Sequence, residues 1–222
     1  MFKVRLKRVE DKMQEQTQES KKVEVPKFKI FGKYSVEDVE IKDPGIRCAL
    51  NLDAKLSLKS QGRNVKKHGQ VDINIIERLV NRLIVAGHRG KKHKIELGHT
   101  TGKFEKYTKM VLKVFENIEK KTNKNPIQVL ITAIENSAPR NETTMIEYGG
   151  ARYPQAVDSS PLRRINLALR HLVHGASDKA FNKKETIAET LTGELILASE
   201  NNGESLAIKK KNEAEKQADS AK

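Results

Sequence analysis

The sequence predicts a mainly α fold: a bundle of about six helices with a protruding two-stranded β-hairpin and an N-terminal extension. Three observations carry this expectation. Apolar residues recur at helical spacing in five separate stretches. The pair Gly149-Gly150 stands between two short segments able to form strands. Residues 1–25 mix Lys, Glu and Gln with few apolar positions, which fits a mobile extension better than a packed element.

From Phe28 the run FKIFGKYSVEDVEI reads as an extended arm, the start of one domain covering residues 26–222. Ile73, Ile76, Leu79, Val80, Leu83 and Ile84 mark the first helix, ending at Gly87. Phe104, Tyr107, Val111, Val114, Phe115 and Ile118 mark the second. Asn125 is positioned to cap a third, Pro126 suits its first turn because its missing N–H costs nothing there, and Gln128 stands where a capping box wants it. Ile127, Leu130, Ile131 and Ile134 make its apolar stripe, Pro139 stops it, and Arg140 is left at its exit.

The hairpin follows at about 142–157. Two glycines supply the positive φ angles of a type I′ turn, so Tyr148 faces Ala151, Glu147 faces Arg152, Ile146 faces Tyr153 and Met145 faces Pro154. In that register Met145 and Pro154 form a non-hydrogen-bonded pair, where the proline lacks nothing the ladder needs. Strand alternation puts Ile146, Tyr148 and Tyr153 on one face and Glu147 with Arg152 on the other.

Ser160 and Pro161 open a fourth helix with Leu162, Ile165, Leu169, Leu172 and Val173 inward, and Gly175 able to end it. At about 100° per residue, Arg163, Arg164, Arg170, His171 and His174 fall roughly opposite that stripe, so the helix is expected to pack and present charge at once. Ile187, Leu191, Leu195 and Ala198 mark a fifth helix, and Ser205 is placed to cap a polar sixth.

Composition narrows the function. With 43 basic against 29 acidic residues, a net charge of +14 and a pI near 9.7, the chain calls for a polyanionic partner, nucleic acid before an anionic membrane. No apolar stretch of about 18 residues and no early signal-peptide core is present, so a cytoplasmic protein without membrane association is expected. The single Cys48 has no partner for an intramolecular disulfide. No Walker-type loop, GxSxG or CxxC occurs, and no convergent carboxylates stand out, so no enzyme is expected. His88, His93 and His99 match no strong zinc spacing, and neither metal nor cofactor is expected.

The run from Asn125 to Arg170 resembles the core of the universal small-subunit ribosomal protein seven family, protein five in eukaryotes. The resemblance rests on the NP-started helix ending in Ala138-Pro139-Arg140, the Tyr148-Gly149-Gly150 tip, Pro154 to Val157, Ser160-Pro161, and Arg163-Arg164 with Leu167-Ala168-Leu169-Arg170. It continues through Glu194 to Ala198 and Ala207 to Lys211, and the arm resembles the archaeal and eukaryotic branch. The connection HRGKKHKIELGHTTGK is longer than its bacterial counterpart, which leaves local RNA contacts open.

This likeness implies a structural constituent of the small ribosomal subunit that binds the 3′ major domain of its rRNA, helps nucleate head assembly, and holds a hairpin near exit-site tRNA and mRNA. Neighbouring head and platform proteins are the implied partners, with no homo-oligomer expected. Two other readings remain open at this point: a free, sequence-tolerant RNA- or DNA-binding protein, and an RNA-processing factor.

The expected RNA-binding residues are Arg63, Lys66 and Lys67 in a first basic cluster, Arg89, Lys91, Lys92 and Lys94 in a second, then Arg140, Arg152, Tyr153, Arg163, Arg164, Arg170, Lys209, Lys210 and Lys211. Loop charge of this kind is also compatible with simple solvation. Tyr148 and Tyr153 have two readings as well, base stacking or packing on protein. Lys209 to Lys211 sit near a helix start, where the dipole disfavours cations and an external anion would compensate.

Overall fold

A computed structural model of the chain describes residues 29–53, 67–87, 89 and 102–221. The extension at 1–25 lies outside these residues. The architecture is mainly helical, as the sequence predicts: α1 (Pro44–Arg47), α2 (Ile75–Ile84), α3 (Phe104–Thr122), α4 (Pro126–Ser137), α5 (Pro161–Ala180), α6 (Ile187–Ser199) and α7 (Leu206–Ser220), with strands β1 (Asn141–Tyr148) and β2 (Ala151–Asp158) between α4 and α5. The one-turn α1, capped by Asp43, has no counterpart in the sequence reading, and α2 is shorter than expected, starting after Asn74 and ending before Gly87.

The apolar stripes meet in one core. Ile127, Leu130, Ile131 and Ile134 of α4, Val111, Val114, Phe115 and Ile118 of α3, and Leu191, Leu195 and Ala198 of α6 are all sealed from solvent. Helix α6 sits centrally, packed against α3, α4 and α5. Burying a large aliphatic side chain contributes about 1.5–3 kcal/mol, so this shared core dominates the stability.

Local chemistry departs from the expected caps in instructive ways. Asn125 does cap α4, its Oδ1 accepting from the Ile127 N–H at 3.0 Å. Gln128 makes no capping box; its amide instead exchanges two hydrogen bonds with the backbone of Glu40, at 2.8 and 3.0 Å. Glu135 accepts the N–H groups of Lys42 and Asp43. The arm is thereby strapped onto α4, while Tyr34 and Phe31 pack edge-on against Phe115 of α3.

Gly175 does not end α5, which runs on to Ala180. A Cβ there would lie 2.9 Å from Glu194 Oε1 and 3.0 Å from the Leu206 Cβ, so glycine serves close approach between α5, α6 and α7.

The ribbon has the predicted register, from Tyr148 opposite Ala151 out to Met145 opposite Pro154, and both turn glycines have positive φ, +59° and +81°. Helix α7 lies against both strands. Beyond that support the ribbon stands in solvent, with Met145, Ile146, Tyr148 and Tyr153 exposed.

Candidate nucleic-acid interface

Helix α5 organises the candidate surface, but its first two arginines do opposite things. Arg163 turns to the root of the ribbon, where Nε and Nη2 make a bidentate pair with Glu142, at 2.6 Å for the shortest contact. Ser159 donates its hydroxyl to the same carboxylate. Burial pushes the Glu142 carboxyl up, yet Arg163 and Ser159 more than offset it and hold it below the usual range.

Arg164 corrects the expectation of an outward-facing pair. It is 8% exposed, donates from Nε to the Pro139 carbonyl and from Nη2 to Asp43 Oδ2 at 2.6 Å, and so ties α5 to the arm and to the α4 exit. The physical reason is local: the exit after Pro139 leaves an unused carbonyl and the α1 cap supplies a carboxylate, both within reach of the third residue after Pro161. Burial raises the Asp43 carboxyl while Arg164 and the Gly45 N–H lower it further, leaving it below its ordinary value.

Farther along α5, Arg170 is exposed, whereas His171 and His174 are half-buried rather than displayed. Both are driven down to about 4, first by burial and then by surrounding cations: Arg170, Lys210 and Arg82 for His171, and Arg89, Arg82 and Arg170 for His174. Cations from α2, the segment after it, α5 and α7 therefore converge on one stretch of α5. Glu213, which pairs with Lys210, and Asp178, which takes a bidentate pair from Arg89, answer only part of that charge.

On α7, Lys209 and Lys210 are exposed and Lys211 is half-buried. Their unfavourable place at a helix start is relieved from inside. The wholly buried Glu194 of α6 accepts the Leu206 N–H at 2.7 Å and the Ala207 N–H at 3.4 Å, and takes Lys179 Nζ at 2.7 Å on its other oxygen. Ser205 donates its hydroxyl to this carboxylate instead of capping the helix itself. A buried anion at a helix N-terminus satisfies both its free N–H groups and its dipole. Nothing in the spacing of Glu194 and Ser205 marks this pairing, which only the meeting of α6 and α7 creates.

The remaining expected residues are scattered. Arg140 is exposed at the α4 exit, its N–H held by Glu215. Arg152 and Tyr153 project on the ribbon, Arg152 only loosely paired with Glu147 at 3.6 Å. Lys67 is exposed beside the 3-10 turn Gly69–Asp72. Arg63, Lys66, Lys91, Lys92 and Lys94 lie outside the described residues, as do His88, His93 and His99. Arg82, absent from the sequence reading, joins the surface because α2 packs on α3 and α5; its helix reads as core from its apolar residues alone.

Comparison with known proteins gives a consistent answer. A family model described as ribosomal protein S7p/S5e matches residues 55–222. The small ribosomal subunit protein uS7 of Nanoarchaeum equitans is 51% identical over 197 residues, covering 88% of this chain and all of that protein. The uS7 proteins of Picrophilus torridus and Cenarchaeum symbiosum are 43% and 40% identical over 194 residues each, covering 87% of this chain and 98% and 96% of theirs.

Proposed function

We propose a function from one premise: the chain belongs to the ribosomal protein S7p/S5e family. It is a structural constituent of the small ribosomal subunit in the cytoplasm, and not an enzyme. Within that role, our reading is that residues 26–222 bind the 3′ major domain of small-subunit rRNA, help nucleate the subunit head beside neighbouring head and platform proteins, and hold the ribbon near exit-site tRNA and mRNA.

One observation supports the rRNA reading most directly. The fold gathers Arg82, Arg89, Arg170 and Lys210 around two histidines that it keeps neutral, a positive field that a phosphate backbone would answer. Arg170 is exposed, and unlike Lys210 it makes no salt bridge among the described residues. In filter binding with a 3′ major domain transcript, affinity should fall steeply with salt. Arg170→Gln should weaken binding roughly five- to tenfold and flatten the log–log salt slope by about one unit. An unchanged slope and affinity would remove this face from the contact.

A further inference from the structure

Arg78 and Arg82 stand one turn apart on α2, a helix whose apolar residues read simply as core. With the amides of Gln70, Asn81 and Asn166 and the apolar Ile73 and Val85, they line a cavity of about 270 Å3 between α2 and α5. Among the described residues, no acidic side chain is on its wall.

The two guanidinium groups are unusual in their company. Arg78 is 7% exposed, yet its hydrogen-bond partners among the described residues are neutral: Nη1 donates to the Ala49 carbonyl at 3.0 Å and Nη2 to Asn166 Oδ1 at 3.2 Å. Buried charge is ordinarily matched by an opposite one, because desolvation is otherwise left uncompensated. Burial pulls this arginine down to about 10, which still leaves it charged at neutral pH.

Arg82 is half-buried, and its Nε is sealed from solvent with no acceptor among the described residues. After burial, the influence on it is another cation, Arg170, and both lower it. Its place in the last turn of α2 relieves it in part, since helix C-termini favour cations. Asn166 is committed on both sides, accepting from Arg78 and donating to Gln70 Oε1 at 3.1 Å, so it fixes the buried guanidinium without adding charge.

We propose that this cavity seats one phosphodiester group of the bound rRNA, with Arg82 as its principal donor and Arg78 as the fixed buried charge behind it. The proposal rests on the rRNA-binding reading above and adds a built site to it. A guanidinium suits a phosphate oxygen better than a lysine does, since it offers parallel donors in a fixed plane. The cavity walls exclude bulk water from part of that contact, and the anion would bring the negative charge that the described residues do not supply.

The test uses the full chain and a labelled 3′ major domain transcript, comparing wild type with Arg82→Gln, Arg82→Lys and, as a charge control, Lys120→Gln on α3. Arg82→Gln is expected to lose about tenfold in affinity and about 0.9 of the log–log salt slope. Its Tm without RNA should be unchanged or higher, because an uncompensated cation has been removed. Arg82→Lys should keep the slope but recover only part of the affinity, and Lys120→Gln should stay within about twofold of wild type.

Wild-type affinity and slope in Arg82→Gln would overturn the proposal. So would a parallel loss of Tm and affinity with the slope intact, which marks a structural residue. A third overturning result is inorganic phosphate raising the Tm of wild type but not of Arg82→Gln, while both bind the transcript equally; the site would then serve free anion. Failure of the wild-type chain to hold the transcript against competitor tRNA would bring down the rRNA reading itself, and this proposal with it.

Discussion

The ribbon and the helical face it springs from share a root but have opposite electrostatic characters. Across β1 and β2 the charged residues are Glu142, Glu147 and Asp158 against Arg152 alone, in a chain that is otherwise strongly basic. The face along α5 gathers Arg82, Arg170 and Lys210 and holds two histidines neutral. A ribbon with an acidic surplus gains little from counterion release, so its use in contact must come from shape and from Ile146, Tyr148 and Tyr153 on one face. Tyr148 is 82% exposed at the tip. On the proposed reading, grip on a polyanion belongs to the helices and reach to the ribbon.

The sharpest test of that division is at the root, where two adjacent arginines belong to different sides of it. Arg164→Glu places a second carboxylate against Asp43 in a nearly closed site and strips the Pro139 carbonyl of its donor. We expect a loss on the order of 3–5 kcal/mol, enough to unfold a marginal domain, read as the denaturant midpoint. Arg163→Glu removes a pair whose arginine is largely exposed, and should cost about 1 kcal/mol or less while loosening the ribbon's root. Equal losses from the two variants would erase the distinction between anchor and surface.

The same pair measures what the sequence could disclose. Helical periodicity identified five of the helices because apolar spacing is a local signal, and the two-glycine turn determined the ribbon's register residue by residue. Periodicity could not separate Arg163 from Arg164. They are neighbours 100° apart, and which one turns inward depends on Asp43 and Pro139, residues 121 and 25 positions away. Glu194 under α7 and Gln128 against the arm were hidden for the same reason, since each side chain has an ordinary local role that a distant partner overrides. Arg78 and Arg82 were masked by their own helix, whose apolar residues account for it completely at the level of pattern.

A second, smaller effect sharpens the comparison through pH. His171 and His174 have folded values near 4 against an ordinary 6.5, so between those limits the unfolded chain binds more protons than the folded one. Stability is therefore full above about pH 6.5 and is lost progressively as pH falls toward 4. Allowing for their partial exposure, we expect roughly 1–2 kcal/mol between pH 7 and 5, measured by denaturation. Asp43 and Glu142, with depressed carboxyls, keep their stabilising contribution through this window and lose it only as pH falls below the ordinary carboxylate range, which leaves the window to the histidines. Bound phosphates would favour the imidazolium forms, so transcript affinity should move the other way and rise as pH falls. A His171→Gln, His174→Gln double variant should flatten both profiles; persistence of both would move the proton uptake elsewhere.

The smallest expected change comes from removing the ribbon itself. Replacing Met145 to Ala156 by a short Gly-Ser linker leaves Glu142, Ser159 and Arg163 at the root, and removes side chains that are mostly exposed. Denaturation midpoint should shift by less than about 0.5 kcal/mol, as for surface changes generally, and transcript affinity by less than about twofold. Incorporation into reconstituted small subunits should persist, because the cations proposed to carry rRNA binding are all outside the deleted stretch apart from Arg152. Exit-site tRNA occupancy or reading-frame maintenance should then change in a reconstituted translation assay. A deleted chain that fails to enter subunits would make the ribbon an assembly element, for which its exposed aromatic face rather than its charge would have to account. A deleted chain that enters and translates as wild type would leave the tightly specified turn and register without a role at the exit site.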